Sequence, residues 1–540
     1  GGSEDRSERS QGGRRPEERL HAMLKPKNIR FRALEKVKVR PRSLVQICLQ
    51  RVAENFLQYD NLHAKLGRKQ LEDVYAMLDL DMPLPEAALR INDENYWKRR
   101  TQAKHPNAQV EKHGMSWKQT YLEIELQEAL ERVPITVEYG NPELEALKQQ
   151  VMASRLYVYQ LQITQFPSHL DLSFIFDALP ALCTFSVTYG NKRLGMDYER
   201  AMFGMKISDA QYLARDIRVS QTLVSLSLPC NMIDDELVKV LMGGLSYGHM
   251  LTHLDLSHNK IGDRGARRLA SLLDPDYCLQ ALDLSDNQIH ANGCMHLGAH
   301  LAENITCQVL NLRLNRCEDN GVSHLFQDMC VNKHLQTLNI ACNDLTVRCL
   351  PYLNAMLAEN GTLLELDVSA NPLHQVEEEG VHQGAASESV PPLASSEAAS
   401  EALEATKPLD EDDPLEGLQV SGQLAVFARC LAKSPSLLRV DLRSCGLPAD
   451  VAQRVTTAVK HRELIAKGIP VEAYEKARQA AVAAEEAAQA AREAAEKEEQ
   501  LGEGEDEDGE EKAEGKAEGE EKAEGEAEKP EAEEEKKEGE

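Results

Sequence analysis

One spacing of leucines recurs from residues 223, 251, 279, 307, 335 and 363, and no other feature of this 540-residue chain restricts its fold as tightly. The period is 28 residues, and each unit reads LxxLxLxxNxI or a near variant. The first two units carry Leu223, Leu226, Leu228, Asn231 and Ile233, then Leu251, Leu254, Leu256, Asn259 and Ile261. The sixth carries Leu363, Leu366, Val368, Asn371 and Leu373, and in the fourth Cys307 and Cys317 keep apolar volume at the outer positions. The alternating Leu-x-Leu predicts a short strand with its apolar side chains on one face. The Asn amide can satisfy backbone groups where the chain turns away. Helical stretches such as 265–273 and 293–301 follow.

One such unit cannot bury its own core, so the units must stack. The expected fold class is α/β: a leucine-rich repeat solenoid of the 28-residue, ribonuclease-inhibitor-like horseshoe type, preceded by a mostly helical amino-terminal domain. A seventh unit at Leu437, Val440, Leu442, Cys445 and Leu447 begins 74 residues after Leu363, one period plus 46. Counting back puts the extra residues at about 374–419. Their Ala-, Ser-, Glu- and Pro-rich composition buries too little apolar surface to offset chain entropy, so a disordered insertion is expected. Upstream, Leu182, Phe185 and Val187 read as a degenerate first strand that caps the stack. The expected organisation is a basic arm at 1–42, a helical domain at 43–180, repeats at 181–461, an Ala/Glu-rich helix at 462–500 and a disordered acidic tail at 501–540.

The formal charge of -28 is unevenly spread. Residues 501–540 hold 20 acidic and 6 basic side chains, a solvated tail by composition. The first 42 residues hold 13 basic against 6 acidic side chains, an arm that could meet an anionic surface such as tubulin or RNA, or be simply solvated. No apolar run reaches the roughly 18 residues of a membrane span and no signal peptide opens the chain, so a membrane is not an expected partner. Nucleic acid is not among the expected partners either. The 12 cysteines lack paired spacing. Several, including Cys230, Cys307, Cys317, Cys342 and Cys445, fall within the repeats and read as reduced, core or near-core residues. The sequons at Asn304 and Asn360 sit in repeat connections and are expected to carry no glycan.

Phosphate-binding GxxxxGK[ST], HExxH and GxSxG motifs are all absent, so no catalytic, cofactor or metal residues are assigned. The strand position between the two leucines projects onto the concave face and gives a ladder: Ser227, Asp255, Asp283, Asn311, Asn339, Asp367 and Asp441. Neighbouring columns add His253, Glu365, Arg313, Arg439 and Arg443. This wall is either a binding surface for a basic or helical partner segment or merely the soluble side chains that the template tolerates. Before the repeats, helical spacing in Leu44, Ile47, Cys48, Val52 and Phe56 opens the helical domain. It contains the chain's two tryptophans, Trp97 beside Tyr96 and Trp117, which read either as core anchors or as an aromatic docking motif.

Ile91-Asn-Asp-Glu-Asn-Tyr-Trp-Lys98, then Ser116-Trp-Lys118, then Leu254-Asp-Leu-Ser-His-Asn-Lys-Ile-Gly-Asp-Arg-Gly-Ala-Arg267 and Leu310-Asn-Leu-Arg-Leu-Asn315 carry a resemblance to a known family. Over roughly residues 43–373 the chain resembles the T-complex-associated testis-expressed protein family, the fifth subunit of the nexin-dynein regulatory complex of motile cilia. The resemblance implies a non-enzymatic structural subunit that links outer doublet microtubules in the axoneme and helps regulate dynein-driven motility. Other subunits of that complex are its implied partners, with inner-arm dynein and the doublet microtubule as further candidate contacts. The insertion, the Ala/Glu-rich stretch and the acidic tail depart from the animal members. The alternative is a Ran GTPase-activating protein-like repeat regulator, which also pairs long repeats with an acidic tail. Such proteins are almost all solenoid, whereas about 180 residues precede the first clear strand here.

Overall fold

The computed structural model describes residues 43–135, 141–192, 202–248, 250–374, 422–472, 474–476 and 478. The basic arm, nearly all of the expected insertion, most of the Ala/Glu-rich stretch and the acidic tail lie outside the described residues. The chain divides into two compact units: Gly1–Lys260 with Asp276–Leu279, and Ile261–Pro275 with Gln280–Glu540.

The first unit opens with helices α1 (Leu44–Glu54), α2 (Leu62–Lys65), α3 (Arg68–Met77), α4 (Leu84–Arg90), α5 (Glu94–Lys104), α6 (Trp117–Glu131) and α7 (Pro142–Ser154). Strands β1 (Gln160–Phe166), β2 (Thr184–Tyr189), β3 (Ser225–Ser227) and β4 (His253–Asp255) then alternate with α8 (Ser173–Ala178), α9 (Ile207–Val219) and α10 (Asp235–Leu245). The strands pair in parallel and in chain order, with Leu161 opposite Phe185, Phe185 opposite Leu226 and Leu226 opposite Leu254, all buried. Parallel pairing follows because a helix returns the chain to the same end each time.

β1 corrects the expected boundary. The sheet begins at Gln160, within the stretch 43–180 read as helical, and the strand at 184–189 is the second. Gln-Leu-Gln-Ile-Thr-Gln-Phe has the two-residue alternation of a strand, burying Leu161, Ile163 and Phe166, but lacks the repeat frame. Helix α6 packs along this terminal strand. A Glu123 carboxylate oxygen accepts from the Tyr159 and Gln160 amides at 2.9 and 3.1 Å, and one from Glu131 accepts from the Thr164 amide at 2.8 Å. Side-chain acceptors thus take amides that a further strand would take, which blunts the edge.

The second unit holds α11 (Asp263–Ala270), β5 (Ala281–Asp283), α12 (Ala291–Glu303), β6 (Val309–Asn311), α13 (Glu318–Val331), β7 (Thr337–Asn339), α14 (Leu350–Glu359), β8 (Glu365–Asp367), α15 (Gln423–Lys433), β9 (Arg439–Asp441) and α16 (Ala449–Ala466). Leu282, Leu310, Leu338, Leu366 and Val440 stand in register. β9 pairs directly with β8, Glu365 opposite Arg439, so the additional residues between them leave the strand stacking intact. Helix α16 spans the expected boundary at 461/462. Its Arg462 guanidinium donates to the carbonyls of Leu431, Ala432 and Leu437 at 2.8, 2.6 and 3.0 Å, satisfying the carboxyl end of α15.

The repeat asparagines do what their spacing implies. Asn371 accepts from the Asn343 and Leu345 amides and donates to the Ile340 and Val368 carbonyls, tying one turn to the next. The residue before each such Asn takes a left-handed backbone, as at His258, Asp286, Leu314 and Ala370. A second buried column, Asn304, Asn332 and Asn360, ties the helix ends: Asn332 donates to Leu301 and Asn304 carbonyls, and Asn360 to Met329 and Asn332 carbonyls. Both sequon asparagines belong to this column, and their amide nitrogens are buried and engaged. Of the repeat cysteines, Cys307, Cys317 and Cys445 are buried. Cys230 is exposed, because it occupies a left-handed turn position at the surface.

Candidate protein-binding surfaces

The structure resolves the strand ladder into local pairs. In the first unit the Ser227 hydroxyl donates to Asp255 Oδ2 at 2.7 Å. In the second, Asn311 donates to Asp283 Oδ2 at 2.9 Å and Asn339 to Asp367 Oδ2 at 3.0 Å. The other oxygen of each acid accepts from the backbone amide two residues on, Ser257 for Asp255, Ser285 for Asp283 and Ser369 for Asp367. Asn311 and Asn339 cap Arg313 and Ala341 in the same way. These Asx-type caps give the column a folding role of its own. The residues are only partly buried, so the column keeps polar surface in reach of solvent.

The cationic columns are more open. Arg313 is exposed, and His253 is exposed with its Nδ1 2.7 Å from the Thr252 hydroxyl. Arg439 bridges Glu365 at 2.6 Å and lies 3.5 Å from Glu463. The Glu463 carboxylate is buried between Lys460 and Lys467, whose hydrogen bonds hold it down to about 2 despite the burial. Arg443 donates to both oxygens of Asp441 and holds that carboxyl below the usual range.

In the amino-terminal unit the two tryptophan motifs bind each other. Asp93 caps α5 by accepting from the Tyr96 amide at 2.7 Å. Glu94 accepts from the Ser116 hydroxyl and the Trp117 amide at 2.8 and 2.6 Å, and Asn92 accepts from the Lys118 ammonium at 2.6 Å. Lys118 is buried, over the Trp97 and Tyr157 rings, and burial lowers it to about 8. Trp97 donates to the Ile91 carbonyl at 3.0 Å, and Arg100 lies over both the Trp97 and Tyr121 rings. This corrects the docking-motif reading. Tyr96 and Trp97 are fully buried and cannot meet a partner, leaving only the partly exposed Trp117 with Lys98 over its ring.

Sequence reasoning missed the open surface of the same unit. In α1 only Leu49 is buried, while Leu44 is 76% and Val45 55% exposed, with Ile47 and Cys48 exposed beside them. Apolar spacing signalled the helix but not that this face would stand exposed among the described residues. Among the described residues, His105, Glu125 and Glu128 are the donors grouped closely enough for a metal, and Lys104 and His105 already engage the Glu125 carboxylate. No helix among them is long and apolar enough to cross a membrane.

A leucine-rich repeat family model matches residues 249–270, 278–298 and 331–348. The chain is 38% identical over 198 residues to dynein regulatory complex subunit 5 of Chlamydomonas reinhardtii, covering 36% of this chain and 50% of that one. The Mus musculus and Homo sapiens proteins of that name are each 30% identical over 231 residues, covering 37% of this chain and 45% of theirs. The chain therefore spans about half the length of the curated relatives it matches. An internalin of Listeria monocytogenes superposes at a TM-score of 0.27 and 18% identity, covering 43% of this chain and 65% of the other, a likeness too slight to carry any argument.

Proposed function

We propose that this chain is a counterpart of the dynein regulatory complex subunit 5 proteins it matches, and thus a non-enzymatic structural subunit of the nexin-dynein regulatory complex. In this reading it resides in the axoneme, helps link outer doublet microtubules and contributes to the regulation of dynein through protein contacts. The observation that carries the proposal is the 38% identity to the algal relative over 198 residues. The matching relatives give no support to a Ran GTPase-activating role.

Two features support docking by protein contact. One is the exposed apolar face of α1, whose occupant in this reading is another subunit of the complex. The other is the set of open arginines and outward-facing acids on the strand faces of the repeats. Inner-arm dynein and the doublet are further proposed neighbours. Chemical crosslinking of isolated cilia carrying the full chain tests this. Crosslinks from the amino-terminal unit to other regulatory-complex subunits support it, and crosslinks chiefly to Ran or nuclear-transport factors would refute it.

A further inference from the structure

We infer that the cleft between α8 and α9 is a receptor for a lysine or arginine side chain of a partner protein. The cleft has a volume of about 560 Å³. Phe176, Leu179, Leu182 and Val219 form apolar walls, and Asp216 lies at its base.

Asp216 is only 5% exposed. Its Oδ1 accepts from Arg215 Nε at 3.1 Å, while Oδ2 has no hydrogen-bond partner among the described residues. A buried carboxylate oxygen left in that condition is rare, because desolvation is compensated only by a donor. Arg215 does not serve Asp216 alone, since its terminal nitrogen also reaches both oxygens of Asp171 at 2.9 and 3.2 Å. Asp177 stands exposed on the rim. Arg215 thus serves two carboxylates, Asp171 and Asp216, while Asp177 adds a third negative charge at the cleft. Burial, with Asp171 and Asp177 adding to it against the opposing pull of Arg215, lifts the Asp216 carboxyl to about 6.

The missing complement is a second cation. These carboxylates are not among the donors grouped closely enough for a metal, so the walls decide the class. Apolar sides above an acidic base match an aliphatic stem ending in an ammonium or guanidinium. The inference rests on the proposed subunit role only for the partner's origin. The cleft chemistry is tested with a free probe, so its failure and the failure of that role are distinguishable.

The probe is acetyl-arginine amide, with uncharged acetyl-citrulline amide as control. Saturation-transfer NMR on the full chain reads contact with the probe methylenes. Arginine signal exceeding that of citrulline, weakened roughly tenfold in affinity by Asp216→Asn, is expected for loss of a charge-assisted contact. Val219→Lys, at a position 70% exposed, places a cation at the mouth without touching the core and should abolish the signal even if Asp216→Asn folds poorly. Equal signals from the two probes, or arginine binding unchanged in Val219→Lys, would overturn the inference.

Discussion

Glu94 caps the helix that starts at Trp117, accepting from its backbone amide at 2.6 Å while also holding the Ser116 hydroxyl. The two tryptophan motifs, which are separate in the chain, are therefore one folding element. Glu94→Ala removes a helix cap that comes from outside the helix and should cost about 1 kcal/mol. Both tryptophans of the chain lie in this element, so intrinsic fluorescence during urea unfolding reports on this unit selectively. An unshifted fluorescence midpoint would show that the cap is dispensable.

Glu123 is 2% exposed and receives the Tyr159 and Gln160 amides along with the His113 ring and the Gln119 amide. Glu123→Ala would leave the start of β1 with part-buried donors that only water could meet, at a cost of about 1–2 kcal/mol. Hydrogen exchange at residues 159–166 should accelerate well before exchange in β3. Equal protection in wild type and variant would mean that water or a shifted side chain substitutes for the carboxylate.

The strand ladder separates charge from capping. Asn already performs the Asp role at residues 311 and 339. Asp255→Asn, Asp283→Asn and Asp367→Asn therefore keep the turn caps, although at 283 and 367 the new amide nitrogen faces the Asn311 or Asn339 donor, so each should cost no more than about 1–2 kcal/mol. If a basic segment is held there by charge, the triple variant stays folded yet loses affinity for regulatory-complex subunits, with a flatter salt dependence. Unchanged affinity would leave the ladder a folding device only.

Glu463 links Lys460, Lys467 and Arg439 at the end of the repeats. Its carboxyl is held at about 2 against an ordinary 4.5, so its contribution is full above pH 4.5 and is lost as the pH falls through about 2. Screening of the half-exposed lysines limits that contribution to about 1–2 kcal/mol. Wild type should be more stable than Glu463→Gln at pH 6, with the gap closing toward pH 2. A gap independent of pH would assign the difference to packing instead.

The sequence exposed whatever repeats in register. Asn259 and its counterparts were readable because a 28-residue period and a turn requirement coincide at one position. The Asn304, Asn332 and Asn360 column has the same period, but in the sequence Asn304 and Asn360 stand out only as sequons and not as turn ties, since the column lies where helices end and outside the leucine frame. β1 was missed because Leu161, Ile163 and Phe166 alternate without that frame, and its edge is covered by Glu123 and Glu131 from a helix some 30 residues earlier. A carboxylate on a helix has no sequence mark that distinguishes a strand cap from a solvated charge. The apolar residues of α1 erred in the opposite direction: spacing reveals a face, and only the tertiary fold shows whether anything covers it.

The most direct test of the structural-subunit account is quantitative mass spectrometry of salt-washed, detergent-extracted axonemes. The cells would be motile, ciliated, lacking their own subunit 5 and supplied with this full chain. The account expects this chain to remain in the axonemal fraction at near one copy per copy of the other regulatory-complex subunits. Recovery of the chain in the soluble fraction, with those subunits unchanged in the axoneme, would contradict it.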